Sequence, residues 1–344
     1  MRTKNNIAYL IIFILFLMLN ACAPQQVTIE SEDPLSPLFQ NDSVTILVTD
    51  SGLGGLSVAA NIANRMESLG VFSHVEVIFF NAQPSKEQGY NSMKSTEQKV
   101  AVFNNALEAM AENFNPDVLL IACNTLSVLY DYTEFSKHSQ VPVVGVVEAG
   151  IDLMEQGSKI NESASILLFA TETTVQQNTH KEGLVQRGLK ADRIITQACP
   201  HLAGAIERGT NSVETDSLVE QYTQAALANL PKGEQDVIVS LNCTHYPYIR
   251  DKFRDKIEAQ GTSVATVLDP NPYMADGLFP SKCLHRFPET DVSVYVLSQP
   301  VLDDTRIQSI APLIREVSGI TADALENWDF DPQFFEWEAI VHAK

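Results

Sequence analysis

The apolar positions of this chain fall into short runs separated by polar, glycine-containing turns. Val44–Thr49, Val77–Asn81, Asp117–Ala122, Val141–Val147, Ser165–Thr171, Arg193–Gln197, Asp236–Ser240, Val267–Asp269 and Val292–Val296 each read as a strand. Several are apolar almost throughout, the pattern of strands buried on both faces of a parallel sheet. Ser57–Glu67 and Thr96–Asn113 carry the helical period instead. Two of the strands lead into cysteines: Asp117–Ala122 into Cys123-Asn124-Thr125, and Asp236–Ser240 into Leu241-Asn242-Cys243-Thr244-His245-Tyr246-Pro247. The two cysteines are 120 positions apart, and Thr45–Ser51 matches Ser165–Thr171 at the same offset. Each half thus reads as strand, loop and helix, then a second strand, then a third strand ending in a cysteine.

This repetition predicts an α/β fold of two pseudo-symmetric three-layer lobes with mainly parallel sheets and an active site in the cleft between them. Ligands of such sheets lie beyond the carboxyl ends of the strands, which is where Cys123 and Cys243 fall. Either cysteine alone reads equally well as a buried core residue; the equivalent placement of both favours chemistry. The first lobe is expected over 44–145 and the second over 146–247. A net charge of −20 repels phosphates and argues against nucleic acid as a partner. The cysteine and histidine spacing does not match a zinc site.

Residues 1–21 have a basic start, Arg2 and Lys4, and an apolar run from Ile7 to Leu19 that is short for a membrane span. Leu19-Asn20-Ala21-Cys22 resembles a lipobox, which implies cleavage before Cys22 and a lipid on its thiol. The other reading is an ordinary signal peptide with Cys22 incidental. Ala23 fits sorting to an outer membrane facing the periplasm, where the cell has one. Residues 22–43 read as a flexible tether.

Individual residues of the two halves have a functional and a plainer reading. Asp50-Ser51-Gly52-Leu53-Gly54-Gly55 is a glycine-rich turn without the spacing of a nucleotide loop. Its Asp50 suits a site holding an ammonium or a thiol, or simply caps the next helix. Thr171 and Thr174 offer hydroxyls at a helix start or cap it. His245 lies two residues after Cys243, as a functional group or a core histidine, and Glu207 falls on a predicted helix.

Asp-Ser-Gly-x-Gly-Gly-Leu-Ser-Val at 50–58, Ala-Cys-Asn-Thr at 122–125, Thr-Glu-Thr-Thr-Val at 171–175 and Cys-Thr-His-Tyr-Pro at 243–247 occur in order. Together they resemble the cofactor-independent aspartate/glutamate racemases over roughly Val44 to Pro312. The resemblance implies an isomerase that needs no cofactor, and a chain path that returns to the first lobe after Pro247 and completes it with 248–344. Cys123 and Cys243 would move the Cα proton from opposite faces, Cys123 serving the D-enantiomer and Cys243 the L. Asp50 would support Cys123, and Glu207 and His245 would support Cys243. Ser51, Tyr90, Asn124, Thr125, Thr171, Thr174 and Thr244 would hold an acidic amino acid.

Gln88–Ser95 departs from the family's substrate loop by lacking its proline and the following glycine, and Leu126 stands where alanine is usual, which would narrow the pocket. Cys199 and Cys283 read as structural. Aspartate rather than glutamate as substrate, and a non-catalytic amino-acid-binding lipoprotein, are the alternatives. D-Glutamate is a peptidoglycan building block, so an exported enzyme would scavenge or remodel D-amino acids. The aromatic C-terminal residues Trp328, Phe330, Phe334 and Trp337 would pack on the first lobe or form a homodimer surface.

Overall fold

In a computed structural model, residues 33–233 and 236–342 are described. The signal segment, Cys22 and the first part of the tether lie outside them. Ten strands follow in order: β1 Ser43–Asp50, β2 His74–Asn81, β3 Val118–Ile121, β4 Val143–Gly145, β5 Ser165–Ala170, β6 Ile194–Ala198, β7 Asp236–Asn242, β8 Ser263–Leu268, β9 Asp291–Ser298 and β10 Asp329–Phe330. They form two parallel sheets, ordered β10-β9-β2-β1-β3-β4 and β6-β5-β7-β8. Within each half the order is second, first, third, fourth. The sequence repeat is therefore a repeat of topology, and the first sheet is extended by two strands.

Alternation along the strands makes each lobe three layers. In β1, Ile46 and Val48 face one core and Leu47 the other; in β2, Val77 and Phe79 oppose Ile78 and Phe80. Leu167 and Phe169 of β5 face one core of the second lobe, and Ile166 and Leu168 the other. The helices covering these faces include α1 (Leu56–Leu69), α2 (Thr96–Phe114), α3 (Asn124–Tyr130), α4 (Val146–Ile160), α5 (Glu172–Gln177), α6 (Leu202–Arg208) and α7 (Asp304–Arg315). Helix α2 starts on a Ser95 cap that accepts from Gln98 N–H and ends on Asn115 in the left-handed conformation.

Three expectations need correction. The stretch Val141–Val147 is only briefly a strand: β4 has three half-buried residues, and Val146 already opens α4, which crosses to the second sheet. The chain does not return to the first sheet directly after Pro247, but only at β9. Helix Arg250–Glu258 and β8 stay with the second, because β8 is the repeat's fourth strand and pairs with β7. The tether also ends earlier than Val44. Ser36–Gln40 is a 3₁₀ helix, Leu35 and Leu38 are buried in the first lobe's core, and Phe39 stacks on Phe72 at 5.8 Å. Prolines and polar residues around these three apolar side chains mask the docking in the sequence.

Of the C-terminal aromatics, Phe334 packs on Phe80 (4.3 Å between centroids) and Phe114 (5.4 Å), and Trp328 and Trp337 are partly buried against the first lobe, while Phe330 stays half exposed. Burying a leucine contributes about 1.5–3 kcal/mol. A chain beginning at Val44 is thus expected to melt several degrees below one beginning at Asp33. Equal melting temperatures in differential scanning calorimetry would show that residues 33–43 are not part of the fold.

Candidate active site

In both sheets the strand order reverses around the repeat's first strand. There the loops after β1 and β3, and after β5 and β7, leave in diverging directions and open a crevice. The four loops carry Asp50–Gly55, Cys123–Thr125, Thr171–Thr174 and Cys243–His245, and they face one another across a cavity of about 430 Å³. Its wall includes Asp50, Ser51, Tyr90, Asn124, Thr125, Thr171 and Thr244. Cys123 and Cys243 are on the same wall, each from its own sheet, together with Glu207 and His245. Every cysteine among the described residues is a free thiol.

The lobes touch through the glycine turn. Leu53 N–H donates to Glu207 Oε1 (2.8 Å), Thr244 Oγ1 donates to Asp50 Oδ2 (2.6 Å), and Tyr248 O–H donates to the Gly54 carbonyl (3.2 Å). A Cβ on Gly54 would lie 2.3 Å from Thr244 Oγ1 and 2.8 Å from the His245 backbone nitrogen; on Gly52 it would lie 2.7 Å from Glu207 Oε1. Both positions need glycine because the opposite lobe is already there. Asp50 does not cap α1, whose first residue follows Gly55 without any side-chain cap.

The two sulfurs sit in different fields. Cys123 Sγ is 3.1 Å from Ser51 Oγ. Burial, reinforced by the neighbouring Asp50 carboxylate, pushes its thiol well above the ordinary range, against the Ser51 hydrogen bond. Burial likewise raises Asp50, though His245, Thr244 and Cys123 oppose the rise. On the other side, Cys243 Sγ lies 3.8 Å from His245 Nδ1, and His245 Nε2 donates to Glu207 Oε1 at 2.7 Å. Burial alone would lower His245, but hydrogen bonds with Cys243 and Glu207 outweigh it and raise it well above the ordinary imidazole range, favouring the imidazolium. Glu207 is pulled below its usual range despite burial, by His245, Arg306 and Leu53 N–H. One sulfur thus faces a carboxyl and the other a cation.

Thr125, Thr171, Asn124 and Tyr90 add neutral polar groups to the wall. Thr125 Oγ1 and Thr171 Oγ1 are 2.7 Å apart, and Thr171 Oγ1 lies 3.0 Å from Thr174 Oγ1 while also accepting from Thr174 N–H. Among the described residues, both buried amide atoms of Asn124 and the buried Tyr90 hydroxyl have no partner. Such groups are costly unless a ligand completes them.

Residues 46–276 match the Asp/Glu/Hydantoin racemase family. The chain belongs to that family, a family of isomerases. It is 31% identical over 209 residues to the glutamate racemase of Helicobacter pylori (strain HPAG1), covering 60% of this chain and 73% of the relative. With the glutamate racemase of Aquifex pyrophilus it shares 28% identity over 235 residues, 67% of this chain and 83% of the other. Its fold is similar to that of glutamate racemase isoform RacE1 from Bacillus anthracis, with a TM-score of 0.59 at 20% identity, covering 84% of this chain and 96% of that one.

Within this racemase-family fold, several residues stand elsewhere than the sequence suggests. Glu207, on its predicted helix, is buried. Thr174 is behind the wall, reaching it only through Thr171. Leu126 is buried in the first lobe's core and does not narrow the cavity. Cys199 lines the wall beside Pro200 with its thiol on the Gln197 carbonyl. Gln88–Ser95, despite lacking the family's proline and glycine, is docked. Tyr90 packs edge-on to Phe103, and Asn91 Oδ1 accepts from Thr173 N–H and Oγ1, as does Thr173 Oγ1 from Lys99 Nζ. Arg306 and His201 on the wall carry no local sequence signal.

The Glu207–His245 pair gives the fold a pH signature. Glu207 is depressed, so its contribution is present above the ordinary glutamate range and is lost as pH falls through its lower folded value. His245 is raised, so its contribution is complete below about pH 6.5 and is lost as pH rises through its higher folded value. Melting temperature followed against pH should fall on both sides of this window. In Glu207→Gln both limbs should flatten; an unchanged profile would mean the pair is not coupled to folding.

Proposed function

We propose that this protein interconverts the L- and D-forms of glutamate, or of a related acidic amino acid, without a cofactor. The observation that carries the reading is the pair of free thiols brought to one cavity from equivalent ends of two repeated sheets. Inverting a stereocentre requires removing a proton from one face and supplying one to the other. A single base would have to move or turn the intermediate over, whereas two opposed groups need not.

Cys243, beside the His245 imidazolium, takes the Cα proton of the L-form as a thiolate. Cys123, kept protonated by burial and by Asp50, delivers its proton to the opposite face. In the reverse direction the roles exchange, with Asp50 placed to receive the Cys123 proton. Asn124, Thr125 and Thr171 hold the α-carboxylate, and Ser51 and Thr244 orient the groups around the ammonium. The Cα proton is a poor acid, so the dry, donor-lined cavity stabilises the developing carbanion.

Cys123→Ala and Cys243→Ala should each slow racemisation by about 10²–10⁴-fold, the ordinary worth of a positioned acid or base. Chiral chromatography of glutamate incubated with each variant reads this, and full activity in either would remove the two-thiol mechanism.

The N-terminal 21 residues and Cys22 further support export, cleavage and attachment to a bacterial membrane, with the domain acting outside the cytoplasm. Cys22→Ser is then expected to shift the protein from the membrane fraction to the soluble one. An unchanged distribution on fractionation would overturn the anchor.

A further inference from the structure

Arg306 carries the strongest feature not used above, and its interpretation rests on the racemase reading. It stands in the first turn of α7, its backbone N–H bonded to the Asp303 cap, and its side chain is only 12% exposed. The guanidinium reaches the cavity wall from the C-terminal part of the chain. Its Nε lies 3.5 Å from Glu207 Oε2. Its Nη1 is fully buried and meets no acceptor among the described residues. A charged donor left in that condition is more costly than a neutral one.

The Glu207 carboxylate is shared by His245, by Arg306 and by Leu53 N–H. Asp303 also lies in the field of Arg306, and Asp50 in that of His245, yet among the described residues none of these carboxylates hydrogen-bonds Nη1. Arg208, on the same wall, is already paired with Glu214 at 2.7 Å. The α-carboxylate of an amino acid can be met by the neutral amide and hydroxyls at Asn124, Thr125 and Thr171. Its ammonium suits the wall's acidic side chains, Asp50, Glu87 and Glu172, which repel a second carboxylate. The free guanidinium edge is the wall's fitting partner for that second group, since it binds carboxylates in directed, charge-assisted hydrogen bonds.

We propose that Arg306 determines specificity by receiving the side-chain carboxylate of the substrate through its guanidinium. An amide side chain presents the same shape but leaves the guanidinium without an anion. Sites with a buried donor that needs an acceptor discriminate strongly against ligands lacking it.

Isothermal titration calorimetry on the full-length chain in detergent separates this from a role in supporting Glu207. L-Glutamate is compared with L-glutamine in the wild type, Arg306→Gln and Arg306→Lys, with melting curves to verify folding. The wild type should prefer glutamate. Arg306→Gln should weaken glutamate binding roughly 10- to 100-fold and leave glutamine within about threefold, and Arg306→Lys should keep part of the preference. Equal loss for both ligands would make Arg306 a support of Glu207 only and overturn the proposal, as would no loss, or a wild type indifferent between acid and amide. Solvent-deuterium exchange at Cα is read in parallel. Selective binding without exchange would keep the role of Arg306 and remove the racemase reading; exchange of glutamine as fast as glutamate, unaltered in Arg306→Gln, would do the reverse.

Discussion

The contact on which the rest depends is the insertion of the Leu53–Gly54 backbone against Glu207, His245 and Thr244. It is a close approach of main chain to buried side chains, possible only where no Cβ stands between them. The same few ångströms do two things. They join the lobes through buried hydrogen bonds from Leu53 to Glu207 and from Thr244 to Asp50. They also fix ionisation, because the Leu53 amide is one of the donors that keeps Glu207 a carboxylate and so sustains the charge on His245. Stability and site electrostatics are therefore not separable here.

The duplicated frame and the charges placed on it have different origins in the chain. The repeat supplies position: equivalent strands carry Cys123 and Cys243 to equivalent loops facing one cavity. Segments outside the paired strand ends supply the difference. Glu207 comes from α6 and Arg306 from α7, and both gather on the Cys243 side, while Asp50 lies with Cys123. A symmetric scaffold thus presents one thiol to a carboxyl and the other to an imidazolium. On the proposed two-thiol reading, proton transfer between opposite faces would need a donor and an acceptor at the same moment, and unequal surroundings would supply that distinction.

The cavity is also bounded by a segment whose composition suggests mobility. Gln88–Ser95 is polar and glycine-containing, yet Tyr90 and Met93 are buried and Asn91 is bonded across the cleft to Thr173. Lys99, largely removed from water and lowered by that burial, donates to the same Thr173 hydroxyl. One threonine at the start of α5 thereby gathers two elements of the first lobe.

Local patterning alone determined the strands, the helices that follow them, the repeat and the two cysteine turns, since these depend on side-chain period and on residue types within a few positions of one another. It even placed Asp50, Asn124, Thr171 and His245 at strand ends, where a parallel sheet exposes its loops. It did not determine that Leu35 and Leu38 dock, that β8 stays with the second sheet, that Glu207 is buried, or that Arg306 reaches the cavity. Each of those is settled by a partner far along the chain: Gly277 beside Leu35, β7 beside β8, Leu53 on Glu207, and Glu207 beside Arg306. Burial and ionisation are properties of an environment. Only when the two lobes closed on each other did these residues acquire the surroundings that set their charge.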